Sequence, residues 1–250
     1  MRVLFVGQVP KDPTFDTANE DRLELDLEFG RIAVSDGASE SFDSQIWAEL
    51  LVKQFVRDPA LGRGWLDALV GEYAAKFDVA GMSWSKQSAF ERGSFATLLG
   101  IEHFSLHGTI DVLSVGDSLA VLLDHDELID SYPYSSAIEF QQRPELFSTL
   151  TQHNSFVEGP TFFTAHHRSW NITALKRPIL LCMTDALGEW ALNLAQQGSP
   201  QWQLLASMND TELLQSLVLE ERAHKRMRID DVTLVSIAFR DGTQHELSVP

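Results

Sequence analysis

The chain has 250 residues, of which 44% are apolar and 22% are charged, a composition typical of a soluble globular protein. Its formal net charge of −17 makes nucleic acid and anionic membranes poor partners, because both are bound through cationic patches. The single cysteine, Cys182, excludes an intrachain disulfide and fits a reducing compartment. No apolar run suits a secretory signal or a membrane span, so we expect a cytoplasmic protein.

No internal repeat or flexible linker divides the sequence, and we therefore expect a single domain over residues 1–250. The first predicted elements are two β-strands, RVLFVGQV at 2–9 and RIAVSDG at 31–37. Apolar side chains at helical spacing then predict a helix that begins near Asp43 and a second helix after Gly64.

The middle of the chain changes from helical to β periodicity. Residues 95–133 contain three β-rich runs separated by turn signals, which predict an antiparallel meander. Residues 134–176 are irregular and polar, and we expect a mobile excursion there.

The last part of the chain alternates between strands and helices. Residues 177–185 predict a buried strand that ends in aspartate, Asp210 opens an amphipathic helix, and residues 230–239 predict a late strand. Helices, then strands, then helices and a final strand favour packed sheets covered by helices over a parallel nucleotide-binding sheet.

Four aspartates stand at the ends of predicted strands: Asp36, Asp117 and Asp185 follow a strand, and Asp230 precedes one. Carboxylates at strand ends can meet at one rim of a sheet, where unpaired burial costs several kcal/mol. Mg²⁺ or Mn²⁺ prefers oxygen ligands, and two such ions roughly 4 Å apart can activate a water for phosphoryl transfer. Strand-end aspartates also form caps and turns, so spacing alone leaves both interpretations open.

Six short motifs in chain order carry a resemblance to a known family. They are NEDR (19–22), VSDGAS (34–39), GSFATLLG (93–100), SVGDSLAVLL (114–123), LLCMTDALGEW (180–190) and DDVTLVSI (230–237). The PP2C-type (PPM) metal-dependent serine/threonine protein phosphatases have patterns that read approximately NED, DG, GSTA, GDSR, SDG and DN-x-T in this order. Each fragment is weak alone, but the ordered set spans nearly the whole chain, which resembles a divergent, bacterial-like member.

The resemblance implies an α+β fold, a four-layer α-β-β-α sandwich of two antiparallel sheets flanked by helices. It also implies a two-metal site at one end of the sandwich, occupied by Mg²⁺ or Mn²⁺. Carried over by position, Asp36 bridges the two ions, the Gly37 carbonyl adds an oxygen, and Asp185 and Asp230 bind one ion. The 134–176 excursion lies where members of this family often have a substrate-facing flap.

Three further positions take their roles from the same resemblance. Glu20 and Asp21 match residues that orient metal-bound waters, and Asp117 matches a position that helps hold a third, weaker ion in several bacterial relatives. The catalytic set implied is Asp36, Asp185 and Asp230, and no protein nucleophile is needed.

The sequence departs from the family pattern at the residue that binds the substrate phosphate. Many members carry an arginine five residues before the aspartate of NED, and this position is Asp16 here. A carboxylate repels phosphate where a guanidinium would bind it. Lys11, Arg22 and Arg31 are the sequence candidates to replace the missing arginine.

Two functions stay open at this point. The first is a protein phosphatase that hydrolyses phosphoserine and phosphothreonine on a phosphorylated protein substrate through a metal-activated water, with a small-molecule phosphomonoesterase as a variant. The second is a catalytically weak binding or regulatory module, a pseudophosphatase, which the reversed charge at Asp16 favours. The oligomeric state and the physiological substrate are not predicted by the sequence.

Overall fold

A computed structural model describes residues 1–239, without the side chain of Asp16, so the predicted charge reversal at that position lies outside the described side chains. The strands are β1 (Arg2–Val9), β2 (Arg22–Asp26), β3 (Arg31–Ser35), β4 (Phe95–Ala96), β5 (Leu98–Phe104), β6 (Thr109–Val115), β7 (Leu119–Asp124), β8 (Glu127–Tyr132), β9 (Phe147–Ser148), β10 (His167–Asn171), β11 (Pro178–Met183) and β12 (Val232–Ala238). The α-helices are α1 (Ser44–Arg57), α2 (Arg63–Ala75), α3 (Trp84–Glu91), α4 (Phe162–His166), α5 (Asp185–Gln196), α6 (Gln201–Ala206) and α7 (Thr211–Ala223). Within the described range, no helix is both long and apolar enough to cross a membrane.

Ten of the strands form two five-stranded sheets. The strand order is β1-β12-β11-β7-β8 in the first sheet and β10-β6-β5-β3-β2 in the second, and β4 pairs with β9 in a separate ribbon. Neighbouring strands pair in the antiparallel direction throughout both sheets.

Side chains alternate between the two faces of each sheet, and this alternation builds four layers. The inner faces meet in an apolar core that includes Ile32, Leu99, Ala120, Leu122, Leu180 and Cys182. The outer face of the first sheet, with Leu119 and Val121, packs against α5, α6 and α7. The outer face of the second sheet, with Ala33 and Leu98, packs against α1 and α2. The predicted α-β-β-α sandwich is therefore confirmed.

The predicted meander over residues 95–133 is wrong in its connectivity. The chain forms β5 and β6 in the second sheet and then crosses to the first sheet for β7 and β8. The crossing occurs at Gly116, where φ is +111° and an added Cβ would lie 2.5 Å from the Thr97 side chain. Glycine permits this crowded, left-handed backbone, and the turn leaves Asp117 at the rim between the sheets.

Residues 134–176 are more regular than the sequence predicts. They include α4 and also β10, which is the edge strand of the second sheet. Phe140, Phe147 and Trp170 from this segment are buried in the apolar clusters. These aromatic anchors explain why much of the segment packs on the sandwich. Its predicted role as a substrate-facing flap stays a prediction.

Candidate metal centre

The strand-end aspartates converge at one end of the sandwich, in the gap between the two sheets. Asp36 follows β3, and Asp117 lies in the turn between β6 and β7. β11 is followed by Thr184, the N-cap residue of α5, and Asp185 is the first residue of this helix. Asp230 lies two residues before the start of β12. The sheet order brings these strand ends together, because β3 lies beside β5 and β6 in one sheet, and β7, β11 and β12 are neighbours in the other.

The electrostatics of Asp36 show how closely the carboxylates approach. Burial raises the pKa of Asp36 well above its ordinary value, and the neighbouring carboxylates of Asp21, Asp230 and Asp117 raise it further. The guanidinium of Arg228 opposes this shift. Like charges this close disfavour ionisation, and a bound cation would favour it.

Backbone contacts fix the position of Asp36 and Gly37. The Asp36 N–H donates to Thr97 Oγ1 at 2.8 Å, and the Asp36 carbonyl accepts from the Thr97 N–H at 2.9 Å. Gly37 then forms an isolated antiparallel bridge with Ala96. A Cβ on Gly37 would lie 2.9 Å from the carbonyl carbon of Ser44 at the start of α1. The strand end can approach α1 this closely because residue 37 has no side chain.

Asp21 is a buried carboxylate held by two threonines. Its side chain is 1% exposed, and its Oδ2 accepts from Thr233 Oγ1 at 2.7 Å and from Thr184 Oγ1 at 3.0 Å. Its Oδ1 is buried and has no hydrogen-bond partner among the described residues. Burial raises the pKa of Asp21 to about 7, although the Thr233 hydroxyl lowers it. Both threonines lie within the quoted motifs, so their positions, but not their contacts, were visible in the sequence.

Asp117 and Asp185 are equally buried, each with 8% of its surface exposed. Burial raises the pKa of Asp117, and the charge of Arg228 lowers it. Asp185 Oδ2 forms an ion pair with the Arg228 guanidinium, and Asp185 Oδ1 is buried without a partner in the described part of the chain. Arg228 Nη1 also lies 4.0 Å from Glu189 Oε2. Arg228 is therefore a cation of this site that sequence reasoning missed.

Glu20 lies at the edge of the site with both oxygens engaged. Its Oε2 accepts from Lys11 Nζ at 2.5 Å and from Ser39 Oγ at 2.6 Å, and its Oε1 accepts from Ser44 Oγ at 2.7 Å. Burial would raise the pKa of Glu20, but these three hydrogen bonds outweigh it and lower the pKa. The predicted role of Glu20 in orienting waters stays a prediction, and its oxygens are shared with protein donors.

The two aspartates before β12 have different environments. Asp231 is 3% exposed and accepts from the backbone N–H groups of Lys11 at 2.6 Å and Glu20 at 2.7 Å. It therefore ties the N-terminal loop to β12. Beyond the effect of burial, the charges of Asp231 and Asp230 both raise the pKa of Asp21, and the charge of Asp230 also raises the pKa of Asp36. Both aspartates therefore act on the other site carboxylates, and Asp231 in addition accepts backbone hydrogen bonds.

The donor chemistry of the site fits a hard divalent cation. The converging side chains offer carboxylate oxygens, and two of these, Asp21 Oδ1 and Asp185 Oδ1, are buried without a hydrogen-bond partner among the described residues. Mg²⁺ and Mn²⁺ prefer such ligands. In residues 1–239, however, no group of three or more His, Cys, Asp or Glu side chains is positioned to hold a metal as it stands.

Several solved structures of phosphatases share this architecture. The photosystem II phosphatase PBCP aligns over 96% of this chain and 99% of its own, with a TM-score of 0.58 and 14% identity. A mutant of a bacterial serine phosphatase aligns over 95% and 99%, with a TM-score of 0.54 and 13% identity. The chain has the PP2C-type phosphatase fold. The catalytic domain of the serine/threonine protein phosphatase PstP, in complex with two manganese ions, covers 94% and 98%, with a TM-score of 0.51 and 18% identity.

No protein-family profile and no curated protein sequence matches the chain. The sequence resemblance to the PP2C-type fold is thus confirmed by structure, at identities of 13% to 18% for the three structures compared. The PP2C-type fold places the two sheets around the rim where the aspartates meet. What the residues at this rim do in this chain is a separate question.

Proposed function

We propose that this chain is a metal-dependent phosphatase that hydrolyses phosphoserine and phosphothreonine in proteins. The observation that carries the proposal is the convergence of acids at one end of a PP2C-type sandwich, with two buried oxygens left unpartnered. The acids are Asp21, Asp36, Asp117, Asp185 and Asp230. A buried carboxylate oxygen without a partner costs free energy, so Asp21 Oδ1 and Asp185 Oδ1, beside the charges of the other acids, support a bound cation.

The proposed ligands follow the sequence resemblance. Asp36 would bridge two Mg²⁺ or Mn²⁺ ions with help from the Gly37 carbonyl, Asp185 and Asp230 would hold one ion, and Asp117 would hold a third. Bound divalent ions supply Lewis-acid activation of water and stabilise the transferring phosphoryl oxygens. The two manganese ions in the PstP complex support this choice of cofactor.

The chain's own side chains would position water and keep the site rigid. Thr184 and Thr233 hold Asp21 through Oδ2, which leaves Oδ1 to accept a hydrogen bond from a water molecule. The contacts with Thr97 hold Asp36 from both sides of its peptide. Preorganised acceptors of this kind lower the cost of orienting the attacking water.

The direct test is hydrolysis of a phosphothreonine peptide and of a generic aryl phosphate, each with Mn²⁺ and with EDTA. The proposal expects Mn²⁺-dependent release of phosphate from the peptide. Hydrolysis of the aryl phosphate alone would assign the chain as a small-molecule phosphomonoesterase. Asp185→Asn is the matched inactive variant, because it removes a proposed ligand and keeps the size of the side chain.

A binding or regulatory module is the second candidate, and one contact favours it. The Arg228 guanidinium already neutralises Asp185, so part of the acidic site is compensated without a metal ion. A protein that binds no Mn²⁺ by calorimetry and hydrolyses neither substrate would be assigned to this second function. A protein that binds Mn²⁺ and hydrolyses the peptide would exclude it.

A further inference from the structure

We infer that Arg228 binds the phosphoryl group of the substrate, in place of the arginine that the sequence lacks at Asp16. The inference rests on the proposed phosphatase function and adds the residue that holds the substrate. Lys11, Arg22 and Arg31 are engaged in other contacts, whereas Arg228 lies beside Asp185 and lines an open cleft.

The three sequence candidates are engaged in structural contacts. Lys11 Nζ donates to Glu20 and to Ser39. The Arg22 guanidinium donates to the backbone carbonyls of Asn19 and Asp21 and to Gln45 Oε1, at 2.7 Å to 2.8 Å. These hydrogen bonds hold the N-terminal loop and leave few donors for a substrate.

Arg31 is excluded by its place in the fold. It begins β3, whereas the site lies after the other end of this strand. Its guanidinium donates to the carbonyls of Val56 and Arg57 at the end of α1 and pairs with Glu102 at 3.5 Å. A five-residue strand separates it from Asp36 by about 16 Å, which is too far for contact with the reacting phosphate.

Arg228, in contrast, lies among the proposed metal ligands. Its guanidinium pairs with Asp185, and its charge opposes the effect of burial on the pKa of Asp36 and of Asp117. Its side chain is 36% exposed, so a ligand from solvent can reach it. A phosphate held by the cations at these aspartates would therefore lie within the range of the Arg228 guanidinium.

A cleft of about 390 Å³ opens beside this guanidinium. Arg228, Lys225 and Ile229 line one part of it, and Glu189 and Asn193 on α5 line another. Four of the chain's 19 Lys and Arg residues occur within residues 222–228, next to the acidic site of a protein with net charge −17. A local cationic surface of this kind attracts an anionic substrate that the rest of the surface repels.

The chemistry of the Asp185 contact is also that of a phosphate contact. A guanidinium presents a planar fork of donors that binds carboxylate and phosphate oxygens in the same way, and it keeps its charge at any working pH. Asp185 Oδ2 pairs with one nitrogen of this guanidinium. Cation binding to Asp185 would compensate its charge and leave the guanidinium for the substrate.

The loop that carries Arg228 is held firmly enough to place it. The backbone N–H groups of Arg226 and Met227 both donate to the Glu221 carbonyl, at 2.9 Å and 3.3 Å. The Met227 side chain is 4% exposed and packs in the core beneath α5 and α7. Arg228 thus follows a buried anchor, and its position does not depend on a free loop.

The test compares Arg228→Ala and Arg228→Lys with the native protein. Three quantities are measured: the affinity of the Mn²⁺-loaded protein for inorganic phosphate, kcat/KM for a phosphothreonine peptide, and Mn²⁺ affinity by calorimetry. We expect Arg228→Ala to weaken phosphate binding and to lower kcat/KM by about 10²–10³-fold. Arg228→Lys should recover only part of this loss, because it keeps the charge without the fork. Mn²⁺ affinity should stay the same or increase.

Arg63→Ala is the matched control, because it removes one cation at a remote, exposed position of α2. An Arg228→Ala protein that binds phosphate and turns over like the native one would overturn the inference and leave the proposed function intact. Loss of Mn²⁺ binding or of cooperative melting in Arg228→Ala would also overturn it, in favour of a structural role. A native protein inert toward the peptide, whose phosphate binding nevertheless disappears in Arg228→Ala, would refute the proposed activity and support the anion site.

Discussion

The carboxylate of Asp36 is held among other carboxylates by the backbone around it. Main-chain hydrogen bonds to Thr97 set its position, and both burial and neighbouring charges raise its pKa. Ionised Asp36 therefore destabilises the metal-free fold, since the charged form lacks the solvation that it has in the unfolded chain. A cation that neutralises Asp36 would remove this cost.

Substitution of Asp36 separates its proposed role in metal binding from its effect on the stability of the fold. Asp36→Asn should abolish Mn²⁺-dependent turnover, because a proposed metal ligand is lost, while the protein in EDTA should be as stable as the native one or more stable. Activity assays and thermal melting in EDTA measure the two outcomes. Retention of most of the activity would show that Asp36 is not the bridging residue.

Two aspartates outside the proposed site, Asp67 and Asp124, could serve as controls for this substitution, and Asp67→Asn is the better choice. Asp67 is on the exposed side of α2, whereas Asp124 accepts hydrogen bonds from the backbone N–H groups of Lys176 and Arg177. Removing the charge at Asp124 would disturb the start of β11 and obscure the comparison. Asp67→Asn should change neither turnover nor melting.

A second prediction concerns the close approach of Gly37 to the start of α1. Gly37→Ala should destabilise the protein by about 1–3 kcal/mol, because the new Cβ would lie 2.9 Å from the Ser44 backbone and Cβ atoms. Gly71→Ala is the matched control: nothing lies within 4 Å of its Cβ position in α2, and alanine should stabilise a helix interior by about 0.5–1 kcal/mol. Urea unfolding of the two variants should give opposite signs. Equal stability would show that the strand end moves away from α1 without cost.

Among the secondary-structure elements, those with strong apolar alternation were predictable and the others were not. β1, β3, β11 and β12 lie where the sequence predicts them, because they alternate or are apolar throughout. β2 has no buried residue, and its charged sequence is also typical of a loop, so it was not predicted. β10 also resembles a loop, since only Trp170 in it is buried. Pairing with a neighbouring strand, which local sequence does not report, makes both of them strands.

Local pattern also predicted the acids of the site but not their counter-ion. Asp36, Asp185 and Asp230 follow from strand ends and motif order, whereas Arg228 lies in a turn segment with no motif of its own. Its ion pair with Asp185 joins residues 43 positions apart, counted as 228 minus 185. Such contacts depend on the sheet order β12-β11, which becomes visible only in the folded chain.

A third prediction concerns the contribution of Glu221 to stability. Glu221 lies at the C-terminal end of α7, which holds the loop that carries Arg228 and Asp230. Glu221 accepts from Trp190 Nε1 at 2.9 Å and from Arg226 at 2.6 Å and 2.7 Å. Glu221→Gln should destabilise the protein by about 1.5–3 kcal/mol at neutral pH, because charge-assisted hydrogen bonds to a largely buried group are lost. Urea unfolding, with Glu220→Gln as the exposed control, measures the difference.

This effect should depend on pH in a defined direction. The hydrogen bond from Arg226 lowers the pKa of Glu221 below its ordinary value of 4.5, although burial opposes the shift. A lowered folded-state pKa contributes stability that is present above the unfolded value and is lost as pH falls through the folded one. The difference between native protein and Glu221→Gln should therefore shrink in acid. A difference that grew below the ordinary pKa would contradict the ion pair.

Repulsion between acidic side chains opposes the folding of the whole molecule. The net charge of −17 disfavours the compact state, and the sandwich then collects several aspartates at one rim. Two cations already pair with acids of this rim: Lys11 pairs with Glu20, and Arg228 pairs with Asp185. A protein built this way should gain stability from divalent cations far more than from salt in general.

Thermal melting with Mn²⁺ and with EDTA tests whether divalent cations stabilise the folded protein. A cation that binds only the native state at a hundredfold excess over its Kd stabilises by about 2.7 kcal/mol, which raises Tm by about 5–10 °C in a chain of this length. Potassium chloride at matched ionic strength controls for screening of the net charge, and Asp36→Asn controls for binding elsewhere on the acidic surface. The shift should appear with Mn²⁺, be much smaller with potassium chloride, and disappear in Asp36→Asn. An unchanged midpoint with no bound metal by calorimetry would refute the two-metal site, and an equal shift in Asp36→Asn would place the ion at other carboxylates.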